Sequence, residues 1–236
     1  MNRLQIRGLT DKGKVRETNQ DSFYIDESAK WCIIADGMGG HNGGEIASKT
    51  TVDVIKENLN CKPTNIDACL KNAIYTANKI VYDMSLHTEN LVGMGTTGVV
   101  CYFEGRTATI ANVGDSRAYH LGELGFRQVT TDHSIVQQLV DLGKITPHEA
   151  KTHPQKNLIT RAIGTEPNIE VDITHIVFKK GDYFLLCTDG LTTFVEDEII
   201  TQAIKNNDID SAVKELISLA NENGGMDNIT AILIKI

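Results

Sequence analysis

Residues 31–40 read Trp31-Cys32-Ile33-Ile34-Ala35-Asp36-Gly37-Met38-Gly39-Gly40. The short apolar run, with its aromatic and β-branched residues, predicts a buried strand over Trp31 to Ala35. The carboxylate of Asp36 follows at once, and the glycines after it leave room for the main chain to approach a metal ion or a phosphate. A strand with an acid at its end recurs along the chain, so this pattern is the starting point for predicting both fold and site.

The predicted secondary structure consists of short strands in runs and a few longer helices. The other strands are expected at Thr97 to Phe103, Thr107 to Val113, Arg117 to Leu121, Ile173 to Phe178, Tyr183 to Cys187 and Ile229 to Ile236. Helices are expected at Gly44 to Leu59, Asn65 to Leu86 with Thr64 as its N-cap, Ser134 to Leu142 and Ser211 to Asn221, with a short one from Thr146-Pro147. Strands joined by links as short as Glu104-Gly105 must be antiparallel. This order predicts an α+β fold of antiparallel sheets covered by helices, and not a parallel βαβ sheet.

Length and composition limit the classes of function. The chain has 236 residues, only four prolines and no linker-like segment, so we expect one domain over residues 1–236. Its 23 Lys+Arg and 31 Asp+Glu give a net charge of −8, which argues against nucleic acid or an anionic membrane as partner. No apolar run is long enough for a membrane span, and no signal peptide is expected. The five cysteines form no C-x-x-C pair, which favours a reducing cytoplasm over a disulfide framework or a zinc site.

Four aspartates lie where predicted strands end or begin. Asp36, Asp115 and Asp189 each follow an apolar run, and Asp227 precedes the last strand. Because strand exits and entries share a rim in antiparallel sheets, these acids can converge on one edge. Each acid taken alone also fits a turn-forming aspartate. A carboxylate cluster must be protonated or neutralised by cations, and oxygen ligands favour Mg²⁺ or Mn²⁺.

Glycine-rich stretches suggest a nucleotide-binding kinase or dehydrogenase as a competing class. The segment Gly93-Met94-Gly95-Thr96-Thr97-Gly98 matches G-x-G-x-x-G. A predicted strand follows it, whereas a dinucleotide site needs a helix there, and no kinase catalytic segment appears downstream. Covalent phosphatase chemistry is also disfavoured, because the chain contains no Cys-x5-Arg motif. We expect no ATP or NAD binding.

Several motifs, in their order along the chain, resemble those of the metal-dependent protein phosphatases of type 2C. They are Arg16 with Asn19-Gln20-Asp21, Asp36-Gly37-Met38-Gly39-Gly40, Gly95-Thr96-Thr97, Gly114-Asp115-Ser116-Arg117, Asp189-Gly190 and Asp227-Asn228-Ile229-Thr230. The resemblance extends from about Leu4 to Ile236 and is similar in form to the bacterial stand-alone branch. It implies two packed antiparallel sheets with helices on both sides, a four-layer αββα sandwich.

The resemblance also implies a metal centre. Asp36 would bridge two Mn²⁺ or Mg²⁺ ions, and the carbonyl oxygen of Gly37 would bind one of them. Asp189 and Asp227 would bind the other ion. Asp115, together with Asp189, matches a third and weaker metal site of bacterial members.

Further roles follow from the same resemblance. Asp21 would hydrogen-bond waters on the metals, and Arg16 would hold the substrate phosphate, as guanidinium groups do; taken alone, Arg16 also fits a surface arginine. Eukaryotic members often have a histidine, assigned as general acid, at the position of Met38. Since Met38 has no proton to donate, the nearby His41 or a metal-bound water is the candidate donor. His133 is interpreted as a structural histidine.

The implied function is hydrolysis of phosphoserine and phosphothreonine in proteins by direct attack of a metal-bridging hydroxide, with no covalent intermediate. Residues 143–168 resemble a mobile flap beside the site, where substrate selectivity is expected; an ordinary surface insertion is the alternative. A bacterial Hanks-type Ser/Thr kinase is the expected opposing partner, and the protein is expected to be a cytoplasmic monomer. The alternative function is a catalytically inactive phosphoprotein-binding regulator, although every metal-ligand position is filled.

Overall fold

Two antiparallel sheets packed face to face form the centre of the molecule in a computed structural model that describes residues 4–28, 30–40, 43–59 and 65–236. The strands are β1 (Gln5–Asp11), β2 (Asp21–Asp26), β3 (Trp31–Met38), β4 (Gly95–Thr96), β5 (Gly98–Glu104), β6 (Thr107–Val113), β7 (Arg117–Gly122), β8 (Gly125–Gln128), β9 (Asp172–Val177), β10 (Tyr183–Cys187) and β11 (Ile229–Lys235). The first sheet has the order β1-β11-β10-β7-β8, and the second has the order β2-β3-β5-β6-β9, with β4 paired to the end of β3.

Helices cover the outer face of each sheet. They are α1 (Gly43–Asn58), α2 (Ile66–His87), α3 (Ile135–Asp141), α4 (Pro147–Thr152), α5 (Asp189–Thr192), α6 (Asp197–Asn206) and α7 (Ile209–Glu222), with a 3₁₀ turn at Glu89–Leu91. Helices α1 and α2 pack on the second sheet, and α6 and α7 pack on the first. The prediction of a four-layer α+β sandwich is therefore confirmed.

Strand β3 shows why this sequence favours a sandwich. Its residues alternate between two apolar surroundings, because successive side chains of a strand point to opposite faces. Trp31, Ile33 and Ala35 face helices α1 and α2, whereas Cys32 and Ile34 face the first sheet. A strand buried on both faces has to be apolar throughout, which explains the continuous run.

Helix starts follow side-chain capping. Asn65 is the N-cap of α2, where its side chain accepts a hydrogen bond from the Ala68 amide, so the predicted cap at Thr64 is wrong; Thr64 itself lies outside the described residues. Helix α4 starts where predicted, and Thr146 and Glu149 form a capping box there, which satisfies two amides that the first turn leaves free. None of the helices in the described ranges has the length and apolar character that crossing a bilayer requires.

Candidate metal and phosphate site

A cleft of about 260 Å³ opens at the rim where β3 ends and β11 begins. It brings together most of the predicted site residues, namely Arg16, Asp36, Gly37, Asp115, Asp189 and Asp227. Met38 also lines the cleft, and Asn157 and Ile159 of the 143–168 segment form another part of its wall. His41 lies outside the described residues. The acids that are far apart in sequence therefore share one small space.

The main chain around Asp36 is fixed from two sides. The amide of Asp36 donates to Thr97 Oγ1 at 2.9 Å, and the amide of Thr97 donates back to the Asp36 carbonyl oxygen at 2.9 Å. Thr97 Oγ1 lies 2.7 Å from Ser116 Oγ, in the loop that carries Asp115. Thr96 Oγ1 also donates to the Asp36 carbonyl oxygen, at 2.8 Å. Thr96, Thr97 and Ser116 of the predicted motifs thus hold the strand end that carries Asp36 in place.

Gly37 occupies a position that only glycine fits. A Cβ atom there would overlap the carbonyl oxygens of Gly44 and Gln20. The amide of Gly37 donates to the Gln20 carbonyl at 3.1 Å. The main chain after Asp36 is therefore tightly packed and held by a hydrogen bond. This explains why the glycine stands next to the central acid.

Asp21 lies beneath the cleft and links the two sheets. It faces Asp36 across the β2–β3 ladder. Its Oδ2 accepts hydrogen bonds from Thr188 Oγ1 at 2.9 Å and from Thr230 Oγ1 at 2.6 Å, both on the first sheet's side. Its Oδ1 is buried and lacks a hydrogen-bond partner in the described part of the chain. An oxygen left in this state is the kind of atom that an ordered water or ion satisfies.

Arg16 and Asp227 form a contact at the mouth of the cleft. Arg16 Nη2 donates to Asp227 Oδ2 at 2.7 Å, while 54% of the Arg16 side chain stays exposed. Asn228 holds the loop that carries Arg16, because its Nδ2 donates to the carbonyls of Lys12 and Thr18 at 2.9 Å. The arginine therefore stands over the acids on a loop that is tied to the start of β11.

A second ion pair flanks the acids. Arg117 makes a forked contact with Asp132, with Nη2–Oδ2 at 2.6 Å and Nε 3.0 Å from both oxygens. Its positive charge lowers the pKa of Asp115 and of Asp189, whereas burial raises both pKa values more strongly. The guanidinium thus supplies fixed positive charge behind two of the cleft acids.

His133 ties the loop before Asp115 to the 143–168 segment. Its Nδ1 accepts a hydrogen bond from the Gly114 amide at 2.9 Å, and its carbonyl accepts one from the Thr160 amide at 2.8 Å. Its Nε2 lies 3.3 Å from Asp172 Oδ2 and 3.0 Å from Arg161 Nη1. Burial lowers the pKa of His133. These contacts support the structural role predicted for it.

The acids repel one another in the absence of cations. Burial, reinforced by neighbouring carboxylates, raises the pKa of Asp21 and Asp115 to about 7 and that of Asp189 to about 6. The pKa of Asp36 lies well above its usual range, first because of burial and then because of Asp21 and Asp189. Because burial and mutual repulsion disfavour their charged forms, these carboxylates are suited to binding cations.

The arrangement fits hard divalent ions that keep part of their water. Within the described ranges, no three His, Cys, Asp or Glu side chains close on a single point as a ready-made cage. An ion here would bind one or two carboxylates, the Gly37 carbonyl and water, which is how Mg²⁺ is usually held. Oxygen atoms alone make up this donor set, so it suits Mg²⁺ or Mn²⁺ better than zinc.

Sequence reasoning missed several residues that build the site. They are Thr188, Thr230, Asn228, Ser116 and Thr97, and all of them act through hydrogen bonds to the acids or their loops. Ser116, Asn228 and Thr230 stand in the same quoted motifs as Asp115 and Asp227, and this placement is the signal that could have found them. Threonine is common in strands, so the residue type alone gives no such signal.

The chain belongs to the protein phosphatase 2C family. The family model described as "Protein phosphatase 2C" matches residues 12–234. This agrees with the fold and with the acidic cleft, and it confirms the family that the motifs resemble. Members of this family depend on bound metal ions.

Relatives and solved structures place the chain among bacterial enzymes. It is 37% identical to "Serine/threonine phosphatase stp" of Listeria monocytogenes, over 96% of this chain and 93% of that protein. The crystal structure of the serine/threonine phosphatase PstP/Ppp of Mycobacterium tuberculosis matches with a TM-score of 0.93 and 36% identity, covering 99% of this chain and 98% of that one. A structure of the PstP catalytic domain in complex with two manganese ions matches with a TM-score of 0.90 and 35% identity, covering 98% and 97%.

Proposed function

We propose that the chain is a metal-dependent protein phosphatase that hydrolyses phosphoserine and phosphothreonine in proteins. The observation that carries the proposal is the cleft in which Asp36, Asp115, Asp189 and Asp227 meet beneath Arg16. Buried acids attract divalent cations, and an exposed guanidinium beside them attracts a phosphoryl group. The names of the relatives agree with this chemistry.

The metal ligands follow from the same cleft. Asp36 and the Gly37 carbonyl would hold one ion, and Asp36 with Asp189 and Asp227 would hold the other. Asp115 would complete a third and weaker site with Asp189. Bound divalent ions supply a nucleophilic water near neutral pH and neutralise charge on the phosphoryl oxygens. Both Mn²⁺ and Mg²⁺ fit the oxygen ligands.

Arg16 would bind the substrate phosphate from the open side of the cleft. A guanidinium carries five N–H donors in a planar fork, and its Nη2 is the nitrogen that contacts Asp227. The remaining donors of the half-exposed side chain are available to two phosphoryl oxygens. Removing them should weaken phosphate binding more than it slows the chemical step, so Arg16→Ala is expected to raise KM chiefly.

His41 is our candidate for the proton donor to the leaving group. Met38 lines the cleft but has no proton to give, and His41 follows three residues later. His41→Asn should therefore slow hydrolysis of a phosphoserine peptide about tenfold or more, since an alkoxide needs a proton. Hydrolysis of p-nitrophenyl phosphate, whose leaving group needs none, should stay nearly unchanged. Equal rates of peptide hydrolysis by the native protein and His41→Asn would contradict this role.

Residues 143–168 would determine which phosphoproteins are accepted. Asn157 and Ile159 of this segment line the cleft, and Ile159 and Ile163 pair with Ser134 and Thr96. Exchange of the segment for that of a relative should change the ranking of kcat/KM over a set of phosphopeptides while leaving p-nitrophenyl phosphate hydrolysis within about twofold. An unchanged ranking would count against this role and favour an ordinary surface insertion.

The cellular setting is proposed on the same basis. The protein would act as a monomer in the cytoplasm, opposing a Hanks-type Ser/Thr kinase on shared substrates. Cys32, Cys101 and Cys187 are buried free thiols, which suits a reducing compartment; Cys61 lies outside the described residues.

One assay separates the enzyme from a catalytically inactive phosphoprotein-binding regulator of the same fold. Hydrolysis of p-nitrophenyl phosphate should require Mn²⁺ and stop when a chelator is added. Asp36→Asn should abolish turnover at saturating Mn²⁺, whereas Asp53→Asn, on the exposed face of α1, should retain it. Full activity of Asp36→Asn would refute the metal assignment, and phosphopeptide binding without turnover by the native protein would favour the regulator.

A further inference from the structure

A second cavity, of about 300 Å³, opens at the end of the sandwich opposite the acidic cleft. Lys30 at its edge precedes β3, and Asp36 lies near the other end of that strand, so about 20 Å separate the two. Ile236 in its wall follows β11, whose other end begins next to Asp227. The cavity is therefore distinct from the metal and phosphate site, and its volume lies at the lower end of the range of small-ligand pockets.

The interior of this cavity is apolar and rigid. Leu4, Phe103, Phe178 and Ile236 form its walls. The rings of Phe103 and Phe178 meet edge to face at 5.9 Å, and both also contact the buried Phe184. The walls are thus continuous with the core between the two sheets. An apolar ligand group placed here would contact side chains that are already ordered.

Cationic side chains surround the same cavity. Lys30, Arg106 and Lys180 line it, and across the described ranges none of them forms an ion pair with a carboxylate. The neighbouring Lys179, by contrast, pairs with Glu123. Unpaired cations around an apolar space, in a chain of net charge −8, favour an anionic partner.

The backbone conformation of Lys30 is an independent indication that this residue has a function at the cavity. It has a φ of 62°, and it is the only non-glycine residue with a positive φ in the part of the chain that is described. Its amide donates to the Asp26 carbonyl and its carbonyl accepts from the Phe103 amide, so the turn is held in this conformation. Glycine or asparagine suits such a position better than lysine. A lysine in a strained turn beside a cavity indicates that its side chain has a function.

We propose that the cavity binds a small amphipathic anion, a medium-chain carboxylate, with its apolar chain against the phenylalanines and its carboxylate among Lys30, Arg106 and Lys180. The site is independent of the proposed function and does not require the enzyme to be active.

Calorimetric titration of the intact protein with decanoate below its micelle concentration tests the proposal. One equivalent should bind, whereas decyltrimethylammonium, with the same chain length and the opposite charge, should not. Failure of decanoate to bind, or equal binding of both, would overturn the proposal. Association with anionic phospholipid vesicles without binding of free decanoate would also overturn it, in favour of a membrane-facing surface.

Variants make the test specific to this cavity. Lys30→Gly should weaken decanoate binding about tenfold and leave the unfolding temperature equal or higher, because glycine relieves the positive φ. Lys180→Gln should weaken binding without touching that turn. Lys179→Gln outside the cavity and Arg16→Gln in the catalytic cleft should bind decanoate like the native protein. Unchanged affinity in both Lys30→Gly and Lys180→Gln would refute the site.

Discussion

At the scale of the residue, Asp21 shows how one buried carboxylate connects the two halves of the site. It belongs to the second sheet, but the hydroxyl groups that donate to it come from Thr188 and Thr230 beside the first. These hydrogen bonds favour the charged form of Asp21, while burial opposes it more strongly. The position of the acid therefore depends on two threonines that carry no charge themselves.

Thr230→Val tests this dependence. The substitution keeps the β-branched shape and removes the donor that lies 2.6 Å from Asp21 Oδ2. We expect the free energy of unfolding to fall by about 1–3 kcal/mol, because a buried acceptor loses its partner, and kcat to fall about tenfold. Urea unfolding and steady-state kinetics measure the two effects.

Thr76→Val is the matched control for that substitution. Among the described residues its hydroxyl donates to the Asn72 carbonyl alone, on the exposed side of α2, so activity should remain as in the native protein. If Thr230→Val kept native kcat, the role of Thr230 in holding Asp21 would be refuted.

The sequence predicts the acids of the site better than the residues that hold them through hydrogen bonds. A carboxylate after an apolar strand stands out, as at Asp36, because charge beside a buried run needs a reason. The supporting hydrogen bonds of Thr97 or Thr188 join residues that are far apart along the chain. Only the fold brings them together, so no local pattern predicts them.

At the scale of the element, His133 couples the loop after β6 to residues 159–161. Its ring accepts from Gly114, and its main chain accepts from Thr160. The adjacent Ser134 pairs with Ile159 in an isolated bridge. Three neighbouring contacts thus fix one end of the 143–168 segment against the loop that carries Asp115.

Two substitutions, His133→Ala and His133→Asn, distinguish the effect of the ring's hydrogen bond on activity from the effect of its size. Asparagine Oδ1 can replace Nδ1 as the acceptor for the Gly114 amide, whereas alanine leaves that buried donor unpaired. We expect His133→Ala to lose about tenfold in kcat/KM and His133→Asn to recover most of it, as measured with a phosphopeptide. His175→Ala, on the exposed face of β9, serves as control. Equal losses in both His133 variants would contradict the hydrogen-bonding role.

The predicted strands agree best with the structure where both faces are buried. The bounds of β6 and β10 are as predicted, and every residue of these strands after the first is buried. Strands β1, β2 and β8 lie at sheet edges and mix polar with apolar residues, so the sequence did not reveal them. Helix α6 was missed for a related reason, since only Ile200, Ala203 and Ile204 of its ten residues are buried.

At the scale of the whole molecule, the acidic rim makes stability depend on cations. Two bound divalent ions would halve the net charge of −8 and remove the repulsion among the cleft acids. Ligands that bind only the folded state stabilise it by mass action, about 2.7 kcal/mol at a concentration one hundred times Kd. The folded protein and its metals are therefore linked.

Scanning calorimetry with Mn²⁺ and with chelator measures this linkage. Saturating Mn²⁺ should raise the unfolding temperature by roughly 5–10 °C, as the mass-action term predicts for a chain of this size. Asp36→Asn should unfold at a higher temperature than the native protein when metal-free, because one repelling charge is gone, and should gain less from Mn²⁺. Asp53→Asn should behave as the native protein does. No shift of the native protein with Mn²⁺ would contradict metal binding at the rim.

The order β1-β11-β10 in the first sheet has a consequence for biosynthesis. Gln5 pairs with Lys235, so β1 cannot form its ladder with β11 until nearly the last segment of this sequence has been synthesised. Until then β1 and β10 both present open edges, which are prone to pair wrongly. Asp227 arrives with that late segment as well. The growing chain therefore cannot assemble its acidic cleft before Asp227 and β11 have been synthesised, and a shorter nascent fragment would neither capture metal nor act on phosphoproteins.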